Sequence, residues 1–364
     1  MNGYFWDQPL TGSGQYLRHL WTALSEITGH TSSPSHLAQS PTFSLLLPPS
    51  ASPNESVPAP PGFSAHHARP HPLAGRNANL DKLLWEEWGV TREAKRQRAK
   101  LLHSPYLSAP LFGRRVPTVV TAHDMIPWVV PGYEGSLQVR LYLRLAVAGV
   151  KKAKVIMADS DASRRDIIRV LKVPPRKVRT VYLGTEPHPD YTREELDDVR
   201  TRFGLPDAYA FYLGGFDRRK NVPLLLRVWR AVADQVRSDG GEVPILAIGG
   251  KVPDPGGVFP DVMSAAKSLG FEGNGSPVNF LGRVSEEDKP RLMAAARLFV
   301  YPSAYEGFGL DPLEAMSVGC PVISSSGGSL QEVVGDGGLP VPPDDESALT
   351  AAILHAWSDP ALRQ

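Results

Sequence analysis

Two glutamates eight positions apart, Glu306 and Glu314, stand in the segment Tyr301–Ser324, YPSAYEGFGLDPLEAMSVGCPVIS. A carboxylate accepts hydrogen bonds from hydroxyl groups and fixes their orientation. Gly307 and Gly309 let the backbone come close to a ligand, and Asp311-Pro312 reads as the N-cap and first position of a helix. A glycine loop leading into a helix N-terminus is suited to phosphate oxygens. Local structural roles compete with this chemistry. Glu306 can be a solvated loop residue with no structural job, and Glu314 can be the third residue of a capping box opened by Asp311. A second cluster, Arg218-Arg219-Lys220, follows the apolar run Phe211–Leu213 and Gly214-Gly215. Cations placed there can stabilise charge that develops on a leaving group, or form a solvated basic turn. In the first half, Gly12 and Gly14 in TGSGQY precede a helical pattern, and His123-Asp124 ends the run Val119–Ala122. A glycine pair of this kind is weak by itself, and a lone histidine is more often structural.

The elements that must carry these residues alternate. Apolar runs at 43–47, 118–121, 155–158, 179–182, 210–213, 245–248, 278–281, 298–301 and 322–324 read as strands. Most are continuously apolar, as strands buried on both faces of a parallel sheet are. Helical patterns lie at 14–27, 138–151, 163–171, 222–236, 286–296 and 313–318, and 191–203 reads as a charged helix. An α/β fold with two doubly wound, Rossmann-like domains is expected. Its 364 residues fit two domains at about 150 residues each. The linker-like GTEPHPD at 184–190 sets the division at 1–185 and 186–364. The first domain opens on a helix, as if lacking its first strand, and the second stops inside a helical pattern. Pro48–Gly62, rich in Pro and Ser, reads as a surface loop.

Net charge is +1, which favours neither nucleic acid nor membrane as a global partner. The single cysteine, Cys320, forbids an intrachain disulfide and fits the cytoplasm. No apolar run reaches the ~18 residues of a spanning helix.

The segment around Glu306 and Glu314 resembles the E-x7-E signature of glycosyltransferase family 4. The resemblance implies a GT-B fold, with two Rossmann-like domains facing a cleft, and a retaining hexosyl transfer from a nucleotide diphosphate sugar to a glycan or lipid-linked acceptor. It implies that Glu306 contacts the transferred sugar, that Phe308, Gly309 and Leu310 lie along sugar and phosphates, and that Glu314 holds the ribose. Lys220 matches the family's lysine, which is followed by Gly or Asn. Gly215 stands where many relatives carry an arginine, so Arg219 or Arg218 is left to replace it. Arg283 and Val284 would meet the base, His123 the donor sugar, and Gly12 and Gly14 the phosphates. Asp311 departs from the usual uncharged residue and adds negative charge.

No metal site and no bound cofactor are expected, because the cations would carry the charge stabilisation. Two other functions remain open at this level: a nucleotide-sugar epimerase or hydrolase, and a non-catalytic sugar-nucleotide binder. Acceptor contacts do not follow from the resemblance. The stretch 80–110 combines Trp85, Trp88 and Tyr106 with a basic run, Arg92 to Lys100. It reads as a solvated helix face, or as a place for anionic lipid headgroups or a lipid diphosphate acceptor, with peripheral membrane contact.

Overall fold

The structure is a computed structural model that describes residues 1–9, 11–30, 41–51, 57–71, 75, 77–112, 116–273 and 275–359. The chain forms two compact units. The first comprises Met1–Met125, Glu134–Asp159 and Arg164–Val181; the second comprises Ile126–Tyr133, Ser160–Ser163 and Tyr182–Gln364. The main changeover is thus at 181/182, and two short segments from the first half of the sequence belong with the second unit.

In the first unit, strands β1 (Phe43–Leu47) and β2 (Phe63–His67) pair in parallel. Strands β3 (Leu102–Ser104), β4 (Thr118–Ala122), β5 (Val155–Ala158) and β6 (Val178–Thr180) form a second parallel sheet in that order. Residues 1–3 join the two. Leu46 donates to the Met1 carbonyl and Gly3 to that of Leu46, while the Asn2 amide reaches the His103 carbonyl at 2.8 Å. This segment is too short to show periodicity. The helices here are α1 (Gly12–His30), α2 (Ala78–Leu84), α3 (Val90–Arg96), α4 (Ile126–Val129), α5 (Leu137–Val150) and α6 (Asp161–Leu171). Of these, α4 and the start of α6 count with the second unit. A π-helical turn, Trp85–Gly89, links α2 to α3. The part of the expected loop 48–62 that spans 52–56 lies outside the described residues.

The second unit carries β7 (Tyr209–Leu213), β8 (Ile245–Gly249), β9 (Val278–Gly282), β10 (Leu298–Tyr301), β11 (Val322–Ser325) and β12 (Gly338–Val341). They form one parallel sheet in the order β12-β11-β10-β7-β8-β9, which is the doubly wound arrangement. Its helices are α7 (Arg193–Arg202), α8 (Val222–Ser238), α9 (Val262–Ser268), α10 (Asp288–Ala295), α11 (Leu310–Ser317), α12 (Leu330–Val334) and α13 (Glu346–Ser358). Every residue of β10 and β11 is buried. Trp229 of α8 and the β-strand aromatics Tyr209, Phe211 and Phe299 fill the core. Burying such side chains stabilises the unit by about 1.5–3 kcal/mol each. All nine expected strands are present. The three unexpected ones, β2, β3 and β12, are short or polar, and β12 carries Pro340 at a sheet edge, where proline is tolerated. No helix among the described residues is long and apolar enough to cross a membrane.

Helix α1 starts at Gly12, earlier than expected, and the Thr11 hydroxyl accepts from the Gly14 amide at 3.1 Å. A Cβ on Gly14 would lie 2.1 Å from the Gln8 carbonyl oxygen, whereas one on Gly12 would meet nothing within 4 Å. Gly14 is therefore required by close packing on residues 5–8, a demand the ligand reading had not included. Gly14→Ala should destabilise the protein by about 1–3 kcal/mol through overpacking, and Gly12→Ala should stay within about 0.5 kcal/mol of wild type. Denaturant melts of both variants check this; equal stabilities would remove the packing role.

Candidate functional site

The sheet of the second unit reverses its winding between β7 and β10, which are hydrogen-bonded neighbours. Ligands of open α/β sheets bind outside the carboxyl ends of the strands at such a reversal. The chain leaves β7 through Gly214-Gly215 into a 3₁₀ turn, Arg218–Lys220, and leaves β10 through the loop that holds Glu306. The Ala304 amide donates to the Arg219 carbonyl at 2.7 Å and ties the two loops together. Asn221 closes the 3₁₀ turn in the left-handed conformation, φ 62°, which asparagine and glycine tolerate best.

Glu306 lies at the centre of this arrangement, 7% exposed. One carboxylate oxygen faces Lys220 Nζ at 2.8 Å and the other Arg219 Nη1 at 2.6 Å. The hydroxyls of Ser303 and Tyr301 donate to the carboxylate at 2.6 and 3.2 Å. Burial alone would raise the Glu306 carboxyl, but Lys220 and then Arg219 outweigh it and hold it at about 2. Lys220, itself buried, also donates to Tyr301 and lies 4.0 Å from Asp311, whose other oxygen contact is the Tyr301 hydroxyl at 2.8 Å. Arg219 Nε sits 3.3 Å from Asp217, and the Tyr133 hydroxyl donates to Asp217 while accepting the Arg219 amide at 2.9 Å. The backbone behind Glu306 is walled by Gly328, and that of Ala304 by Gly327. A Cβ on Gly328 would lie 2.3 Å from the Glu306 carbonyl oxygen.

The first unit brings His123 to the carboxyl end of β4. Its Nδ1 lies 2.6 Å from Asp159 at the end of β5, and its Nε2 3.0 Å from the Pro105 carbonyl beyond β3. Two acceptors for two ring nitrogens suit the imidazolium form. Burial would lower its pKa, but the hydrogen bond and charge of Asp159 outweigh this and raise it. The Tyr16 ring meets that of His123 edge-on at 4.8 Å, and the Tyr16 hydroxyl shares Thr121 Oγ1 with His103 Nε2. His103 is half-buried, and that desolvation pushes it down to about 4.

Residues 44–188 match the family described as Glycosyltransferase Family 4, and residues 207–359 match Glycosyl transferases group 1. The chain is 35% identical over 268 residues to O-antigen chain mannosyltransferase B of Escherichia coli, covering 72% of this chain and 67% of that protein. The chain belongs to glycosyltransferase family 4. The serotype-specific mannosyltransferase WbdA of Escherichia coli is 26% identical over 266 residues, 71% of this chain but 32% of WbdA, so the chain spans about a third of that relative's length. The solved structure of WaaG, a glycosyltransferase involved in lipopolysaccharide biosynthesis, superposes with a TM-score of 0.66 at 17% identity, over 97% of this chain and 89% of that one. Anabaena HepE in complex with UDP and glucose gives 0.64 at 21% identity, over 83% and 78%. The two units are the Rossmann-like halves of the GT-B fold.

Several local expectations for this glycosyltransferase need correction. Glu306 is not a loop residue without a structural job, because it neutralises two half-buried or buried cations. Asp311 and Glu314 form no capping box. The N-cap of α11 is Gly309, left-handed at φ 97°, with no side-chain cap, so the helix starts at Leu310 and Asp311 already lies within it. A Cβ on Gly309 would also lie 2.6 Å from Leu330. Glu314 instead pairs with Lys289 of α10 at 2.8 Å, and burial keeps its carboxyl above the usual range despite that lysine. Phe308 is buried and its carbonyl accepts from Ser329, while the Gly307 carbonyl accepts from Ser160 and Ser163 at 2.7 and 2.8 Å. Among the described residues, the Phe308, Gly309 and Leu310 amides make no hydrogen bond. Arg219, not Arg218, enters the Glu306 cluster; Arg218 is exposed. Gly215 is exposed, and a Cβ there would meet only ordinary contacts, at 3.4 Å from Asp217 and 3.9 Å from Lys220. Arg283 is exposed after β9, and Val284 packs beside Gly249. Sequence reasoning passed over Tyr301, Ser303, Asp217, Tyr133 and Ser329; only Tyr301 and Ser303, within the glutamate segment itself, carried a local signal.

The His123–Asp159 pair gives a pH test. A histidine whose pKa is raised on folding stabilises fully below its ordinary value of 6.5 and loses that contribution as pH rises through the raised value. The stability difference between wild type and His123→Gln should therefore shrink as pH rises above 6.5. Its size should be that of one charge-assisted hydrogen bond, about 1.5–3 kcal/mol. Denaturant melts across pH check it; a pH-independent difference contradicts the imidazolium.

Proposed function

We propose that the chain moves a hexosyl group of mannose or glucose type from a nucleoside diphosphate sugar to a hydroxyl of a glycan or lipid-linked saccharide, with retained anomeric configuration and without a metal. The named relatives act in mannosyl transfer, and a fold neighbour holds UDP and glucose. The observation that carries the reading is the buried Glu306 carboxylate bonded to Lys220 and Arg219. Those two cations and the unbonded amides of Phe308, Gly309 and Leu310 are the groups that would receive the diphosphate. Glu306 then keeps their place. When the diphosphate takes Lys220 and Arg219, the carboxylate is released to accept from hydroxyls of the transferred sugar. Glu314 can exchange Lys289 for ribose hydroxyls in the same way.

The bond from the anomeric carbon to the diphosphate oxygen breaks with its electron pair passing to that oxygen, where Lys220 and Arg219 offset the charge. The acceptor oxygen bonds to the same face of the anomeric carbon, and its proton passes to the departing phosphate. A carboxylate held at about 2 and bonded by two cations and two hydroxyls is a poor nucleophile, which supports this route over a covalent glycosyl–Glu306 intermediate. The imidazolium of His123 offers a positive charge at the sheet edge of the first unit. A cytoplasmic place with peripheral membrane contact belongs to the same reading. It is supported by the single cysteine and by exposed Trp88 and Phe112, whose rings stack at 6.0 Å.

If Glu306 competes with the diphosphate, Glu306→Gln should bind the product nucleoside diphosphate about tenfold more tightly, as one charge-assisted bond to each cation is no longer displaced. Its turnover should fall sharply, because sugar orientation is lost. The variant should also lose about 1–3 kcal/mol of stability; Asp217 and Asp311 still face the cations and limit the loss. Calorimetric titration, steady-state kinetics and melts on one preparation measure all three. Unchanged nucleotide affinity would show that Glu306 holds no such place. Activity should also survive thorough chelation. Loss with EDTA that magnesium or manganese restores would overturn the metal-free assignment.

A further inference from the structure

The first unit contains a cavity of about 360 Å³ at the carboxyl ends of β1 and β2. Its walls include Tyr4, Trp85 and Trp88, with Asp81 among them and Arg69 and Arg92 at the rim. A second cavity, about 630 Å³, shares Arg69 and Arg92 and adds Lys95, Arg96 and Glu93. Glu93 is buried, and Arg96 and Gln97 donate to it at 3.1 and 2.8 Å, so its charge is already met. Arg92 donates to the Arg69 carbonyl at 3.3 Å, which holds the two arginines together, and both are exposed. Arg69, Arg92 and Lys95 thus leave an excess of positive charge where the cavities meet.

The aromatic wall is built rather than incidental. The Trp85 indole donates to the Asn2 side chain at 2.9 Å and is pinned to residues 1–3. The π-helical turn Trp85–Gly89 sets Trp85 and Trp88 on the cavity, and such turns recur at functional sites. Gly89 leaves room for the ring, since a Cβ there would lie 2.7 Å from Trp85. The same sheet edge runs on to His123. Tyr4 meets Tyr106 at 6.3 Å, and the neighbouring Pro105 carbonyl accepts from His123.

We propose that these adjoining cavities bind the phosphate-bearing end of the acceptor: Arg69 and Arg92 hold a phosphate ester, and Trp88 and Tyr4, backed by the buried Trp85, take the sugar or chain attached to it. Aromatic faces suit the apolar side of a pyranose or an alkyl group, and paired guanidinium groups suit phosphate oxygens. The proposal deepens the transferase reading by naming the acceptor's chemistry, and it rests on that reading. A lipid-linked sugar phosphate and a soluble one share this chemistry.

Three probes separate the possibilities: octyl α-mannoside, the phosphodiester mannosyl octyl phosphate, and mannose 1-phosphate. Binding to the full chain is followed by tryptophan fluorescence and calorimetry, without donor. At least one phosphate-bearing probe should bind tenfold or more tightly than octyl α-mannoside. In Arg69→Gln/Arg92→Gln that preference should vanish while octyl α-mannoside binds as before. Trp88→Ala should weaken all three probes. Preference for the octyl phosphodiester identifies a lipid-linked source, and equal binding of mannose 1-phosphate a soluble one. Equal affinity for charged and neutral probes, a preference that survives the double variant, or no binding of either phosphate-bearing probe overturns the site. Nucleoside diphosphate binding is measured on the same samples. If it persists while the probes fail, only the acceptor site falls; if it is absent as well, the transferase reading itself fails.

Discussion

A carboxylate removed from water between a lysine and an arginine is the constraint around which the second unit is arranged. An unpaired buried charge costs several kcal/mol, so Glu306, Lys220 and Arg219 must be delivered together or not at all. They come from loops 86 residues apart in sequence, counted from Lys220 to Glu306. Only the pairing of β7 with β10 brings those loops side by side. The rest follows as support: Ser303 and Tyr301 complete the carboxylate's hydrogen bonds, Asp217 and Asp311 flank the cations, and Gly328 gives the Glu306 backbone room.

Such a cluster is stable and yet open to replacement. Buried ion pairs gain little net stability over the desolvation they require, but taking the cations away would leave Glu306 uncompensated, so an incoming diphosphate would have to bring hydroxyl donors for the carboxylate with it. A site that keeps its cations charged and oriented before the ligand arrives avoids reorganising them afterwards, which is the condition for electrostatic stabilisation of a leaving group.

The sheet architecture was legible because strands buried on both faces read as unbroken apolar runs, and the core strands β7 and β10 are such runs. β3 is three residues long and β2 carries two histidines, so neither produces a pattern. The residues of the glutamate segment were legible as chemistry, but their partners were not. The capping-box expectation failed because Asp, Pro and Glu at suitable spacing say nothing about a left-handed glycine just upstream, which starts the helix early. Glu306 showed no structural job because ion-pair partners distant in sequence, Lys220 and Arg219, leave no local trace. His123 was legible only by resemblance; that Asp159 and Pro105 occupy both its nitrogens is a property of three neighbouring strand ends.

Ile126–Tyr133 and Ser160–Ser163 precede the linker in sequence yet count with the second unit, where Tyr133 holds Asp217 and the Arg219 amide and Ser160 and Ser163 hold the Gly307 carbonyl. Modularity in this protein is therefore not a matter of cutting at the linker. A chimera that joins the halves of two relatives near residue 185 would mix one parent's tyrosine and serines with the other parent's loops. The inherited piece that recombines cleanly is discontinuous: the second half together with those two short segments.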